Sequence, residues 1–232
     1  QERDRLDLEV NALRAESERL REGLEYVREG RIIIFAGEMI AQTVVVTRPG
    51  EPRPSPEEVE ETLMKSARAN IAMRSGTDPE QVEITLDPHS EEMIGECCSG
   101  TPGRMILRLI VSENTVQGEP VKGSITLHES RKIYDKGYTL AEVGDIPAGL
   151  GQEEAEMRLF AILRGVNSKA QRDGVLPDPL KGTVGNLSAS KFFEAVDLLT
   201  LREKTSRVIV KAEDDIYTEG PVRVEILVID EG

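Results

Sequence analysis

Three consecutive acidic residues, Glu213, Asp214 and Asp215, form the densest carboxylate cluster of the chain downstream of residue 30. With Glu225 or Asp230 on the next predicted strand, they could bind Mg2+ or support two-metal phosphoryl transfer, because hard divalent cations prefer carboxylate ligands. The order of strands and helices also permits an analogy with ribonuclease H-like nucleases, at the level of fold alone. The competing interpretation is a solvated hairpin connection, and in so acidic a chain we favour it.

The only two cysteines are adjacent, at Cys97 and Cys98, and His89 lies a few residues before them. Thiols and imidazoles are ligands that zinc prefers, but a structural zinc site needs four of them. Adjacent cysteines also give no disulfide framework. We therefore expect two small, half-buried side chains near the end of a helix, and we predict no metal site and no cofactor.

The remaining candidates for chemistry are weaker. His128 lies beside no recognisable nucleophile motif, and the turn at residues 149–151 lacks the further glycines or lysine of a nucleotide-binding loop. Asn70 and Asn167 occupy similar places in two predicted long helices. Each either bonds across an interface between repeats or lines a shared pocket, because buried amides need partners. No catalytic residue is identified, so whether the protein is an enzyme stays open, and we lean towards a protein that is not.

The composition limits the class of partner. The 232-residue chain has 43 acidic and 29 basic residues and a formal net charge of -14. Nucleic-acid phosphates would be repelled by such a chain unless it had a basic patch, and the lysines and arginines are scattered among carboxylates. We therefore expect no nucleic-acid partner. No apolar run approaches the roughly 20 residues that cross a bilayer, and no signal-peptide pattern is present.

Apolar residues near the start of the chain recur at alternating intervals of four and three, which is the seam of a coiled coil. The seam residues are Leu6, Val10, Leu13, Leu20, Leu24 and Val27, with Ser17 in the remaining position. Such a narrow stripe is not stable alone, so we predict a homodimer through this seam, at the end of a longer coiled coil. The alternative is an amphipathic helix folded onto its own head domain.

From Arg31 onwards the pattern changes to that of a mixed α+β protein. β-Branched runs at residues 32–36 and 39–47 predict two strands, and Ser55 with Pro56 predicts the start of a helix. The predicted order in residues 31–130 is β-β-α-β-α-β-β, and residues 131–232 repeat it. We therefore predict a coiled-coil stalk at residues 1–30 followed by two α+β repeats with mixed or antiparallel sheets.

The two halves of the predicted head can also be aligned residue by residue. Residues 37–41 fall on residues 137–141, and residues 120–122 fall on residues 221–223. We infer a tandem duplication, because two copies of so long a period are too few for a solenoid. We expect the copies to pair about a pseudo-twofold axis.

The sequence resembles the C-terminal region of the bacterial family catalogued as domain of unknown function 3084, best known from cyanobacteria. The resemblance covers nearly the whole chain and rests on the charged coiled coil, on REGRIIIFAGEMIAQTVVV and on DDIYTEGPVRVEILVID. Its most specific residues are Gly37 with Ala41, Tyr217 with Thr218, Gly220 with Pro221, and Val224 with Glu225. The family has no established catalytic residues, so the resemblance transfers none.

The resemblance implies a membrane anchor upstream of this chain. Such proteins typically begin with two membrane-spanning helices joined by a short basic loop, followed by a long coiled coil and the head. If the basic loop is cytoplasmic, the head is extracytoplasmic, although Cys97 and Cys98 fit an oxidising compartment poorly.

We therefore interpret the chain as a non-enzymatic, dimeric assembly module. In this interpretation a membrane-tethered coiled coil presents a duplicated head to a protein partner in the cell envelope. The alternative is an enzyme or binding head, with a nuclease-like metal site at Glu213, Asp214 and Asp215 or a small-ligand pocket between the repeats.

Overall fold

The computed structural model describes residues 32–180 and 182–231. The predicted coiled coil, with its seam from Leu6 to Val27, lies outside the described residues. The described chain divides into two compact units, with the boundary between Leu127 and His128. Both units contain helices and sheets, so the predicted α+β class is confirmed.

The described part of the first unit contains a four-stranded sheet, a two-stranded ribbon and two α-helices. Its strands are β1 (Ile32–Ile34), β2 (Met39–Val46), β3 (Ile84–Leu86), β4 (Arg104–Val111), β5 (Thr115–Val116) and β6 (Val121–Glu129), and its helices are α1 (Pro56–Ser75) and α2 (Pro88–Ser99). The strand order in the sheet is β2-β4-β6-β3. Strands β2 and β4 are antiparallel, whereas β3 and β6 are parallel, so the sheet is mixed.

The second unit has the same arrangement. Its elements are β7 (Lys132–Tyr134), β8 (Thr139–Ile146), α3 (Gln152–Asp173), β9 (Gly185–Asn186), α4 (Ala189–Thr200), β10 (Ser206–Ala212), β11 (Ile216–Tyr217) and β12 (Val222–Asp230). The strand order is β8-β10-β12-β9, with β9 parallel to β12. The strands and α-helices follow in the same order as in the first unit, which has in addition a short 3-10 helix at Pro79–Gln81.

Each unit contains one strand that the predicted order lacks. Strands β5 and β11 fall where the sequence predicts only a connection, and they pair with β1 and β7 as separate two-stranded ribbons. Each is two residues long, so it shows no periodicity of its own and is set by its partner strand.

Helix α1 begins and ends where its sequence predicts. The Ser55 hydroxyl accepts a hydrogen bond from the backbone N–H of Glu58 at 3.2 Å, and the Glu58 carboxylate accepts one from the N–H of Ser55 at 3.1 Å. This reciprocal pair is a capping box, with Pro56 in the first turn. Gly76 ends the helix in the left-handed conformation, with φ 70°, where a side chain would be strained.

A glycine turn joins the ribbon to the sheet at the same place in both units. Gly37 and Gly137 have φ values of 85° and 84°. The N–H of Gly37 donates to the carbonyl of Val111 at 2.8 Å, and that of Gly137 donates to the carbonyl of Ala212 at 2.8 Å. The two glycines that the sequence alignment matches therefore have the same conformation and equivalent partners.

Each unit has its own apolar core between the sheet and the long helix. In the first unit α1 buries Val59, Leu63, Ala67 and Ile71. In the second unit the buried stripe of α3 consists of Ala155, Leu159, Val166 and Ala170, and it belongs to the same core as the sheet residues Val208 and Val210. Ile162 and Leu163 flank this stripe and are only partly buried.

We expect Ser55→Ala to lower the free energy of unfolding by about 1 kcal/mol, because the N–H of Glu58 loses the hydroxyl that accepts its hydrogen bond. Ser66→Ala is the matched control, since Ser66 is exposed in the middle of the same helix. Urea unfolding followed by circular dichroism measures both changes. Equal stability of the two variants would contradict the role of the capping box.

Candidate functional site

Lysines engage the acidic turn between β10 and β11. The Nζ of Lys191 donates to both carboxylate oxygens of Glu213, at 2.9 and 3.0 Å. Asp215 accepts a hydrogen bond from the backbone N–H of Lys136 at 2.9 Å, and the Nζ of Lys132 lies 3.4 Å from its other oxygen. The backbone hydrogen bond, followed by the Lys132 charge, lowers the pKa of Asp215. Asp214, between the two engaged carboxylates, is exposed.

The other two candidate metal ligands also face cations. Glu225 on β12 is the direct strand partner of Lys211 on β10, and Asp230 accepts a hydrogen bond from Arg202 at 3.1 Å. Within residues 32–180 and 182–231, no group of three or more His, Cys, Asp or Glu residues is arranged to hold a metal ion. The carboxylates of the turn are placed for ion pairs with lysines.

Cys97 and Cys98 lie in α2 as free, buried thiols. Burial raises the pKa of Cys97 to about 11 and also raises that of Cys98. His89 lies in the first turn of the same helix, exposed, with its Nδ1 3.1 Å from a Glu92 oxygen. Eight residues of helix separate His89 from Cys97 by about 12 Å along the axis, so these residues cannot share one ion. The thiols are more buried than the sequence predicts.

The two helix asparagines bond within their own units. Asn70 donates from Nδ2 to the carbonyl of Ile40 at 3.1 Å, which ties α1 to β2. Asn167 accepts at Oδ1 from the N–H of Val184 at 2.8 Å, which ties α3 to the segment before β9. Their observed role is to fix each long helix to nearby backbone. A role between the repeats stays a prediction.

The turn at residues 149–151 leads into α3, as the sequence predicts. Gly151 is the N-cap residue, and no side chain caps this helix end. His128 is half-buried in β6. Neither feature adds a chemical group to a site.

An aromatic and charged cluster, which the sequence does not reveal, fixes the last turn of α3. The hydroxyl of Tyr134 donates to the Asp173 carboxylate at 2.5 Å, and Lys169 donates to the same oxygen at 2.8 Å. The rings of Tyr134 and Tyr138 stack with centroids 4.8 Å apart, and the Lys169 ammonium is 5.7 Å from each centroid. These residues come from separate elements, so only the folded chain brings them together.

The charges in this cluster are matched. The hydrogen bond from Lys169, followed by that from Tyr134, lowers the pKa of Asp173. Burial, followed by the hydrogen bond to Asp173, raises the pKa of Tyr134, so its hydroxyl stays protonated at neutral pH. The cluster therefore stabilises the fold and supplies no base at neutral pH.

Apolar side chains are exposed on the two helices of the second unit. Met157 and Phe160 of α3 and Phe193 of α4 are 58%, 53% and 48% exposed. Buried Phe192 links the two exposed phenylalanines, with its ring centroid 4.5 Å from that of Phe160 and 5.5 Å from that of Phe193, and Met157 lies three residues before Phe160 on the same helix. We name Met157, Phe160 and Phe193 the apolar helix face. Contiguous exposed apolar side chains of this kind mark interaction surfaces.

A shallow groove of about 440 Å³ runs between α3 and the edge strand β8. Its lining residues are Ala141, Val143, Ile146, Arg158, Ala161, Ile162 and Gly165. Gly165 and Ala161 are small and exposed on α3, so they leave the groove open on the side of that helix. The groove and Met157 therefore lie on neighbouring turns of one helix.

Residues 134–232 match the model of the family described as DUF3084-associated C-terminal helical hairpin. The matched range covers nearly all of the second unit. The resemblance to the domain of unknown function 3084 proteins is thereby confirmed, and α3 and α4, which pack against each other, lie inside the matched range. The apolar helix face is thus part of the DUF3084-associated segment.

Searches of curated proteins and of solved structures found no match to the chain. Among the helices of the two described ranges, none combines the length and the apolar character needed to cross a bilayer.

We expect native Cys97 and Cys98 to react slowly with a disulfide reagent at pH 8. With a pKa of about 11, only roughly one Cys97 in a thousand would be the reactive thiolate at that pH, even before burial limits access. Labelling should be at least about 100-fold slower than in guanidinium chloride, where both thiols react within the mixing time. Fast labelling of the native chain would show that α2 is not packed as described.

We expect the stability supplied by Asp173 to be lost in acid. Its pKa lies below the usual 3.8, so the contribution is complete above that value and disappears as the pH falls through the lowered pKa. Between about pH 5 and about pH 2 the wild-type Tm should therefore fall further than that of Asp173→Asn. Asp197→Asn, at an exposed position of α4, is the control and should fall as the wild type does. Identical acid profiles for all three proteins would refute the assignment.

Proposed function

We propose that this chain is a self-associating, non-enzymatic assembly module. Two copies join through the seam from Leu6 to Val27, and the joined heads form a platform for a protein partner in the cell envelope. The apolar helix face is the observation that carries the proposal. Exposing Met157, Phe160 and Phe193 to water is unfavourable for an isolated chain, and burial in an assembly recovers about 25 cal/mol per Å² of apolar surface.

The ion pairs of the acidic turn also support an assembly module over a metal-dependent enzyme. Lys191 and Lys132 already compensate the charges of Glu213 and Asp215. A divalent cation would have to displace both ammonium groups before it could bind these carboxylates. Such pairs are typical of a solvated surface turn.

The match to the DUF3084-associated family model supports a membrane tether for the full-length protein. We propose that two membrane-spanning helices and a long coiled coil precede this chain, as in the proteins that it resembles. The head then lies outside the cytoplasm, and the coiled coil sets its distance from the bilayer.

We further propose that the two units arose by tandem duplication. The support is the shared order of elements and strands, together with the equivalent turns at Gly37 and Gly137. In this account the first unit keeps the ancestral scaffold, while the second unit carries the apolar helix face.

A double exchange in the seam tests the proposed function. Leu13→Lys with Leu20→Lys would place two ammonium groups from each copy between the helices, so we expect the dimer dissociation constant to rise at least about 100-fold. Leu8→Lys is the matched control, because Leu8 lies outside the seam. Sedimentation equilibrium measures all three proteins. A monomeric wild type at about 100 μM, or a seam variant that dimerises as tightly as the control, would overturn the proposal.

A further inference from the structure

We propose that the exposed face of α3 docks antiparallel against α3 of a second copy, about a twofold axis close to Ala161. The inference rests on the proposed self-association and names the surface through which two heads meet. Three observations support it. They are the distribution of charges along α3, the spacing of large and small residues on its exposed row, and the charged residues at the equivalent positions of α1.

The charges of α3 are arranged to complement a second, antiparallel α3. The first half carries the carboxylates Glu153, Glu154 and Glu156 and one cation, Arg158, which pairs with Glu154. The second half carries the cations Arg164, Lys169 and Arg172 and one carboxylate, Asp173. Each half therefore has an excess of one sign, although Arg158 of one copy would lie opposite Arg164 of the other. In an antiparallel pair the acidic start of each helix lies along the basic half of the other. A parallel pair would place like charges side by side, which is unfavourable. The helix dipoles also favour the antiparallel arrangement.

The shape of the face is self-complementary in the same register. Met157 and Gly165 lie four residues before and four residues after Ala161, on one exposed row of the helix. A twofold axis at Ala161 therefore sets each Met157 opposite a Gly165 of the other copy. Gly165 has no Cβ and borders the groove along β8, so the methionine has an apolar space to enter. Rows of i±4 residues that interdigitate give a common helix packing geometry.

The first unit shows that its scaffold does not require an apolar face. When Leu63 is aligned with Leu159, Glu61 and Lys65 of α1 take the places of Met157 and Ala161. Both α1 residues are exposed and charged, as expected for a solvated helix surface. The α1 row becomes apolar only further along, at exposed Ala69 and Met73, so the two helices differ at the positions of Met157 and Ala161.

Because the seam would hold the two heads together, a small contact between the two α3 helices would be enough for docking. Helix α3 has 22 residues and is about 33 Å long, so one helix pair buries less than the roughly 1,200 Å² of a stable complex. Joined seams would hold the two heads at an effective concentration on the order of millimolar, at which a weak contact is populated.

Disulfide cross-linking in the full chain tests the geometry. Ala161→Cys should form a covalent dimer under mild oxidation, because the two thiols would face each other at the axis. Glu153→Cys is the control: sixteen residues of helix would separate the two thiols by about 24 Å, so it should stay uncrosslinked. The native thiols Cys97 and Cys98 are buried and give little background. Equal cross-linking of both variants, or none of Ala161→Cys, would overturn antiparallel docking.

A charge placed on the axis tests the contact itself. Ala161→Glu should raise the dimer dissociation constant about tenfold, because two carboxylates would meet at the centre of an apolar row. Ala69→Glu is the matched control, since Ala69 is exposed at the place on α1 that corresponds to Gly165. Circular dichroism and Tm confirm that both variants fold. Equal dissociation constants for both variants would contradict the inference.

The outcomes separate this inference from the proposed function. If the wild type dimerises through the seam but Ala161→Cys never cross-links, helix docking alone is overturned. If the wild type is monomeric and uncrosslinked, both proposals fail. Cross-links that disappear in the Leu13→Lys, Leu20→Lys variant support both, and cross-links that persist there show that the helix face associates without the seam.

Discussion

The burial of one stripe of α3 on the sheet of the second unit decides which residues of that helix meet the solvent. Ala155 and Leu159 are fully buried with Val208 and Val210 in the core. Because the helix repeats every 3.6 residues, fixing this stripe inward forces the row through Met157, Ala161 and Gly165 outward. The surface that we assign to assembly is therefore a geometric consequence of the core.

Much of the fold could be predicted where the signal is local. Ser55 and Pro56 determine the start of α1 through bonds within one turn, and Gly76 ends it through its own backbone conformation. Strands β5 and β11 could not be predicted, because two residues carry no period and their pairing depends on β1 and β7. Long-range partners, rather than local propensity, decide such elements.

In the candidate sites, too, the residue types can be seen in the sequence, but their long-range partners cannot. The sequence shows the carboxylates of Glu213 and Asp215, but it does not show that Lys191 and Lys132 lie beside them, since those lysines come from other elements. Met157 and Phe160 are visible in the sequence as apolar residues of a helical segment. Their exposure can be predicted only once it is known which residues of α3 pack against the sheet.

Hydrogen–deuterium exchange across the chain tests assembly through α3 most directly. If two copies dock as proposed, amides of residues 152–173 exchange more slowly in the wild type than in the seam variant, and dilution removes the difference, because docking adds to the local stability of the helix. Amides of α1 exchange equally in both proteins and serve as the internal reference. Exchange of residues 152–173 that is the same in both proteins at every concentration would contradict the account.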